Sequence, residues 1–230
     1  VGAALKTTKR INISFDEWNV WYLRAHLEHP HTDEWTHAKP VIEDTYTVAD
    51  GVVVGGLLIA LLRNADRVHA ASLAQLVNVI APIRTEPGGP AWKQTIYDPF
   101  ALTARLATGE VLRTTVVSGA CRTPRYGEVP RLDAVATGDS DQASVFLLNR
   151  DLEQSAAVTI PLVDDFSTVA EAWLLHDEDL HATNSALHPD RVRASTLDTR
   201  IQGRELRVVL PRASWACVRL ARPTSPRASG

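Results

Sequence analysis

The hydrophobic pattern of this chain changes period near residue 109, and that change constrains the fold more than any other feature. Before it, strand-like and helix-like apolar segments alternate. Arg10 to Phe15 is a short β-branched and aromatic run that stops in a polar cluster, the pattern of a buried strand with functional groups at its C-terminal end. Trp21 to Tyr46 is polar, rich in His and aromatic residues, and carries Pro30 and Pro40. It reads as a long loop, and loops of that length are usually functional or disordered. Asp50 is placed as the N-cap of an apolar helix that runs to Leu62. A further strand is expected within Val68 to Ile80, followed by a Pro/Gly turn region from Ala81 to Gly89. A second helix is expected within Trp92 to Ala107, where Ile96, Phe100, Leu102 and Leu106 recur mostly at helical spacing. Strand, loop, helix, strand, loop, helix is the repeating unit of a (β/α) barrel.

After Gly109 the runs shorten. Strands are expected over Val111 to Ser118, Leu132 to Ala136, Ser144 to Leu148, Ala157 to Leu162 and Val169 to Leu175. The series continues with Val192 to Ala194, Leu206 to Leu210 and Ser214 to Leu220. Short strands at this spacing, separated by turn-rich segments such as Thr137 to Asp141, indicate a β-sandwich. Pro223 to Gly230 is a Pro/Ser/Arg tail expected to be disordered.

With 230 residues and 45% hydrophobic content, the chain has enough apolar material for a core without disulfides or metals. Its net charge of -3 gives no basis for expecting nucleic acid or an anionic membrane as a partner. The apolar run from Gly51 to Leu62 is too short to span a bilayer. Cys121 and Cys217 can pair or remain two buried thiols; the free state is favoured, since a cysteine in a strand pattern usually acts as a small core hydrophobe. The sequence contains no Met and starts at Val1, so the natural N-terminus is expected upstream, where a signal peptide or a partner catalytic residue would also lie.

The strongest chemical signal lies at the end of the first strand. Asp16 and Glu17 are followed by Trp18, Asn19, Trp21 and Tyr22. Carboxylates beside aromatic faces and an amide are the equipment of a sugar site, because rings stack on C–H faces while amides and carboxylates take hydroxyls. The same residue types also fit a plainer arrangement, with Asp16 and Glu17 capping the next helix and Trp18 and Trp21 in the core. Four histidines (His26, His29, His31 and His37) lie close to Asp33 and Glu34, in a Pro-bearing segment without the spacing of a metal site. The run His176-Asp177-Glu178-Asp179 lacks calcium-loop spacing and reads as a turn with solvated charges. No metal site is expected. No nucleophile elbow, P-loop or dinucleotide fingerprint occurs.

Lys9 to Tyr22, with its central Asp16-Glu17-Trp18-Asn19, resembles the nucleophile-bearing stretch of the α-L-arabinofuranosidases of glycoside hydrolase family 51. The similarity continues through Ala74 to Ile83 and Ala91 to Thr95, and resumes at Leu175 to Pro189 and Leu210 to Leu220. The resemblance implies an α/β plus all-β fold: residues 1–108 as the last βα units of a (β/α)8 TIM barrel, 109–222 as a C-terminal β-sandwich, and 223–230 as the tail. It implies a retaining double displacement with Glu17 as nucleophile and a second carboxyl about 5–5.5 Å away as acid/base. Gln75 is implied to contact the sugar hydroxyls, with capping of backbone in the turn after the eighth barrel strand as the alternative, and Trp92 to line the leaving-group side or to pack. Asn19, Asn78 and Gln94 are weaker substrate contacts, each read more readily as a loop-stabilising amide. Asp16 would orient the loop. In the family the acid/base Glu follows an Asn, and no Asn-Glu pair occurs here, so the chain is expected to be an incomplete piece that is inactive alone.

The resemblance further implies an arabinose-containing oligosaccharide or polysaccharide as substrate, no cofactor, and a homo-oligomer. A cytoplasmic location is the default, because no export signal is visible. Two rival readings stand beside it: a non-catalytic carbohydrate-binding or assembly module, and a related retaining hydrolase with another sugar preference.

Overall fold

The computed structural model describes residues 8–22, 42–162 and 166–222. The histidine-rich segment and the tail lie outside the described residues.

The first part is a strand–helix–strand unit. β1 (Ile13–Trp18) and β2 (Val68–Leu73) pair in parallel, joined through α1 (Val48–Arg63). A hairpin of β3 (Ile83–Thr85) and β4 (Ala91–Lys93) follows, then α2 (Tyr97–Leu106). The N-cap of α1 is Thr47 rather than Asp50. Asp50 occupies the third helical position, and the two residues form a capping box in which each side chain serves the other's backbone N–H. The helix expected within Trp92 to Ala107 spans Tyr97–Leu106, while Trp92 itself is paired with Arg84 in the hairpin.

The second part is antiparallel. β5 (Glu110–Leu112), β8 (Leu132–Gly138), β9 (Gln142–Asn149), β11 (Thr168–Leu175), β12 (Ser195–Thr196) and β15 (Ser214–Ala221) build a six-stranded sheet in the order β12-β11-β15-β9-β8-β5. β10 (Ala156–Pro161), β14 (Glu205–Leu210) and β13 (Thr199–Gln202) build a three-stranded sheet against it. A separate hairpin of β6 (Ala120–Thr123) and β7 (Gly127–Pro130) leaves the sandwich. Two expected strands differ. Of the run from Val111 to Ser118 only Val111 and Leu112 join a ladder, as part of β5, since β-branched residues supply a preference and a neighbouring strand must supply the bonds. The Val192 to Ala194 strand is replaced by a side-chain substitute: Asn184 accepts from Val192 N–H at 2.7 Å and donates to its carbonyl at 2.9 Å.

The six-stranded sheet is buried on both faces. Val145, Leu147, Ala216, Val218 and Leu220 point into the sandwich core with Leu206, Val208 and Leu210. Their neighbours Phe146, Leu148, Trp215 and Cys217 point the other way, onto Val48, Val52 and Ile59 of α1 and Leu106 of α2. The opposite side of α1 packs Val54 and Leu58 against Trp18, Tyr46 and Ile96. That double contact explains why α1 is apolar around most of its circumference.

Gly55 packs α1 directly against the sheet. A Cβ there would lie 2.2 Å from Cδ1 of Trp215. Both cysteines are free thiols: Cys217 is fully buried and Cys121 partly so. Burial pushes the Cys217 thiol up to about 12, so it stays protonated and acts as a core hydrophobe.

Candidate active site

The parallel pair puts the C-terminal ends of β1 and β2 side by side. Trp18 is registered with Leu73, and the Ala74 N–H donates to the Trp18 carbonyl at 3.0 Å. Between Phe15 and Trp18, β1 advances three residues while β2 advances two, from Ala71 to Leu73, so one extra residue is accommodated at Asp16–Glu17. Such a bulge re-aims side chains and is common beside active sites. Both carboxylates therefore lie inside the irregular end of the strand rather than after it, and both are exposed. Among the described residues neither caps a helix. Asp16 accepts from the Ser14 hydroxyl, tying it to its own strand.

Trp18 is the anchor of the strand end. It is 5% exposed and its ring centroid lies 6.3 Å from that of Phe100 on α2. The residues after it are held at successive points. The Asn19 amide donates to the Ile80 carbonyl at 2.6 Å and its oxygen accepts from Val20 N–H at 2.8 Å. Tyr46 donates to the Val20 carbonyl at 3.2 Å, and Tyr22 donates to Asp50 at 2.6 Å. Asp50, 6% exposed, also accepts from the Thr47 N–H and hydroxyl at 2.7 and 2.8 Å. Burial, and next the Asp50 carboxylate, raises the Tyr22 phenol above its ordinary range; burial with Asp44 and Asp50 does the same for Tyr46. Both phenols therefore remain neutral donors at neutral pH. Trp21, half exposed, projects from this tethered loop.

Gln75 lies two residues past β2, at the same edge as Glu17, and is exposed. With Leu73, Leu76, Pro82, Tyr97 and Phe100 it lines a groove of about 420 Å3. Asn19 links the end of β1 to the loop that follows β2, with its amide engaged by the backbone of Ile80 and Val20. Trp92 sits apart on β4, partly buried, and its indole N–H meets no acceptor among the described residues. Asn78 has φ 67° and exchanges hydrogen bonds with Thr85 through both ends of its amide.

The Tyr22–Asp50 bond, the role of Tyr46 and the full reach of Gln94 escape a reading of the sequence. The Thr47-x-x-Asp50 spacing announces a capping box, but only the fold shows that the Asp50 carboxylate also receives a tyrosine from 28 positions away. In the acidic turn, Asp177 pairs with Arg191 and Glu178 with Arg212. Among the described residues no group of three or more His, Cys, Asp and Glu is placed to hold a metal ion. No described helix is long and apolar enough to cross a membrane.

The match to a family model sets the class: the chain belongs to the alpha-L-arabinofuranosidase C-terminal domain family, matched over residues 16–214. More particularly, it is 48% identical over 231 residues to an exo-alpha-(1->6)-L-arabinofuranosidase of Bifidobacterium longum, covering 94% of this chain and 43% of that protein. It is 44% identical to an intracellular exo-alpha-(1->5)-L-arabinofuranosidase of Streptomyces lividans, covering 97% of this chain and 34% of the relative. The solved structure of a family 51 alpha-L-arabinofuranosidase from Bifidobacterium longum superposes with a TM-score of 0.88 at 40% identity, over 95% of this chain and 44% of that one. The chain thus spans less than half the length of these relatives.

Proposed function

We propose that this chain is the C-terminal portion of a retaining exo-α-L-arabinofuranosidase in which Glu17 is the nucleophile. The observation that carries the reading is the placement of Glu17: exposed, on the bulged C-terminal end of a parallel strand, inside the stretch matched by the family model. In (β/α) barrels the chemistry sits at that end of the strands, which supports reading β1-α1-β2 as the closing units of a (β/α)8 barrel. The reaction removes terminal non-reducing α-L-arabinofuranosyl groups from oligosaccharides or polysaccharides. Glu17 attacks the anomeric carbon as the bond to the leaving oxygen breaks, giving an inverted glycosyl-enzyme ester. A second carboxylic acid protonates the departing oxygen. It then takes a proton from water, which attacks the anomeric carbon, displaces the Glu17 carboxylate and restores the starting configuration.

Gln75 holds sugar hydroxyls from the neighbouring strand end, and Trp92 lines the leaving-group side. The acid/base carboxylate comes from outside these 230 residues, since no Asn-Glu pair is present. The enzyme works inside the cell, as the names of its relatives from Streptomyces lividans and Bifidobacterium longum indicate for those proteins. A binding-module role finds no support in the sandwich, where Phe146 and Trp215 are buried and stack on each other.

The first-formed sugar tests the reading. With the complete enzyme and an aryl α-L-arabinofuranoside, proton NMR should show α-arabinofuranose before mutarotation, while the isolated 230-residue chain should show no turnover. An initial β product would overturn the retaining mechanism, and turnover by the isolated chain would overturn the divided site.

A further inference from the structure

We propose that Asn19 and Gln94 are positioning residues: they clamp the segment from Ala74 to Pro82, and with it Gln75, onto the strand end that carries Glu17. The proposal rests on the reading of Glu17 as nucleophile and Gln75 as sugar ligand.

The segment is closed onto two adjacent residues. At its start, Ala74 N–H donates to the carbonyl of Trp18; near its end, the Ile80 carbonyl accepts from the side chain of Asn19 at 2.6 Å. Trp18 and Asn19 directly follow Glu17, so Gln75 lies inside a loop whose two ends are fastened beside the nucleophile. Gln94 takes the next carbonyls. Its side chain donates to the Ala81 carbonyl at 2.8 Å, and its backbone N–H donates to the Pro82 carbonyl at 2.8 Å. The same side chain accepts from Tyr46 N–H at 3.0 Å and donates to the Asp44 carbonyl at 3.1 Å. Three successive carbonyls, at positions 80, 81 and 82, are thus held by two residues.

The backbone needs that hold. Asn78 and Ile80 have φ of 67° and 41°, in the left-handed region, and Ile80 is β-branched. That conformation is unfavourable for a β-branched residue and persists only where surrounding bonds over-determine it. Gln94 is 2% exposed and its amide is fully engaged, so it acts on substrate only through the loop. Asn19 likewise spends its amide on backbone. Its effect on the sugar passes through the position of Gln75 relative to Glu17.

The test is a double-mutant cycle in the complete enzyme with an aryl α-L-arabinofuranoside. Asn19→Asp and Gln94→Glu keep shape but replace the donating nitrogen with an oxygen. Each is expected to lower kcat/KM about 10- to 100-fold, the scale of a small misplacement of reacting groups. In a Gln75→Ala background each should cost less than about threefold more, because the group they position is already gone. Circular dichroism melting confirms that the variants are folded. If Asn19→Asp does not accumulate folded, Asn19→Ser carries the same comparison, since it is too short to reach the Ile80 carbonyl. Unchanged kcat/KM in the single variants, or a further loss of about threefold or more in the Gln75→Ala background, would overturn the proposal. A Glu17→Ala control separates the two levels: activity retained there sinks the nucleophile reading itself, whereas an inactive control with independent losses sinks only the clamp.

Discussion

Replacing Glu17 with Ala in the complete enzyme should lower turnover of an aryl α-L-arabinofuranoside by about ten-thousand-fold or more, the scale seen when a nucleophile that acts as part of a unit is removed. The loss belongs to kcat, because the covalent ester cannot form, while the groups that hold the sugar ring remain. Two neighbouring effects make the prediction specific. Asp16 is tied to Ser14 within its own strand, so Asp16→Ala should cost far less, about tenfold. Azide added to Glu17→Ala should restore part of the turnover by attacking the anomeric carbon from the vacated side, with β-arabinofuranosyl azide as product. Stopped assays with chromatographic identification of the azide adduct check both. Equal losses at Asp16 and Glu17 would point to damage to the strand end rather than to a lost nucleophile.

The second large effect concerns stability. Gly55→Ala should destabilise the protein by about 2–3 kcal/mol, within the range for overpacking a close-packed core. The added Cβ would fall 2.2 Å from Cδ1 and 2.5 Å from Cγ of Trp215, a fully buried side chain stacked on Phe146 with centroids 6.4 Å apart. Neither the helix nor the indole has room to retreat, since Phe146 and Trp215 share one packed cluster with Val52 and Ile59. Trp215→Ala should cost about 3–5 kcal/mol by leaving a large cavity in the same place. Thermal unfolding measures both, and Gly55→Ala should lower Tm by about 5–10 °C. The consequence reaches beyond stability. α1 carries Asp50, which holds Tyr22 in the loop after Glu17, so the sandwich sheet and the site share one rigid helix. A Gly55→Ala protein that melts like the parent would contradict that coupling.

The strands of the sandwich were legible because alternation is written locally. β8, β9, β10, β11, β14 and β15 all lie within a residue or two of the apolar runs that announce them. Elements defined by partners rather than by their own residues were not. Val192 to Ala194 is apolar like a strand, yet its bonds go to Asn184, eight positions earlier. Val116 and Val117 are β-branched and remain outside any ladder. The β6–β7 hairpin and β13 are too short and too polar to stand out from turns. At the site, the motif around Glu17 points to its chemistry through resemblance, and the structure adds the bulge at Asp16–Glu17, which no periodicity announces. Asn19 and Gln94 already read more readily as loop-stabilising amides than as substrate contacts, and the fold adds which carbonyls they hold, those of Ile80 and Ala81.

The most direct test of Glu17 as nucleophile is covalent capture. The complete enzyme, incubated with an α-L-arabinofuranosyl donor whose 2-fluoro substituent slows hydrolysis of the ester, is digested and its peptides are weighed. The peptide containing Ile13 to Asn19 should gain the mass of one fluoroarabinosyl group, localised by fragmentation to Glu17. A label on Asp16 or on a carboxylate in another peptide, or loss of the activated leaving group with no peptide modified, would contradict the assignment.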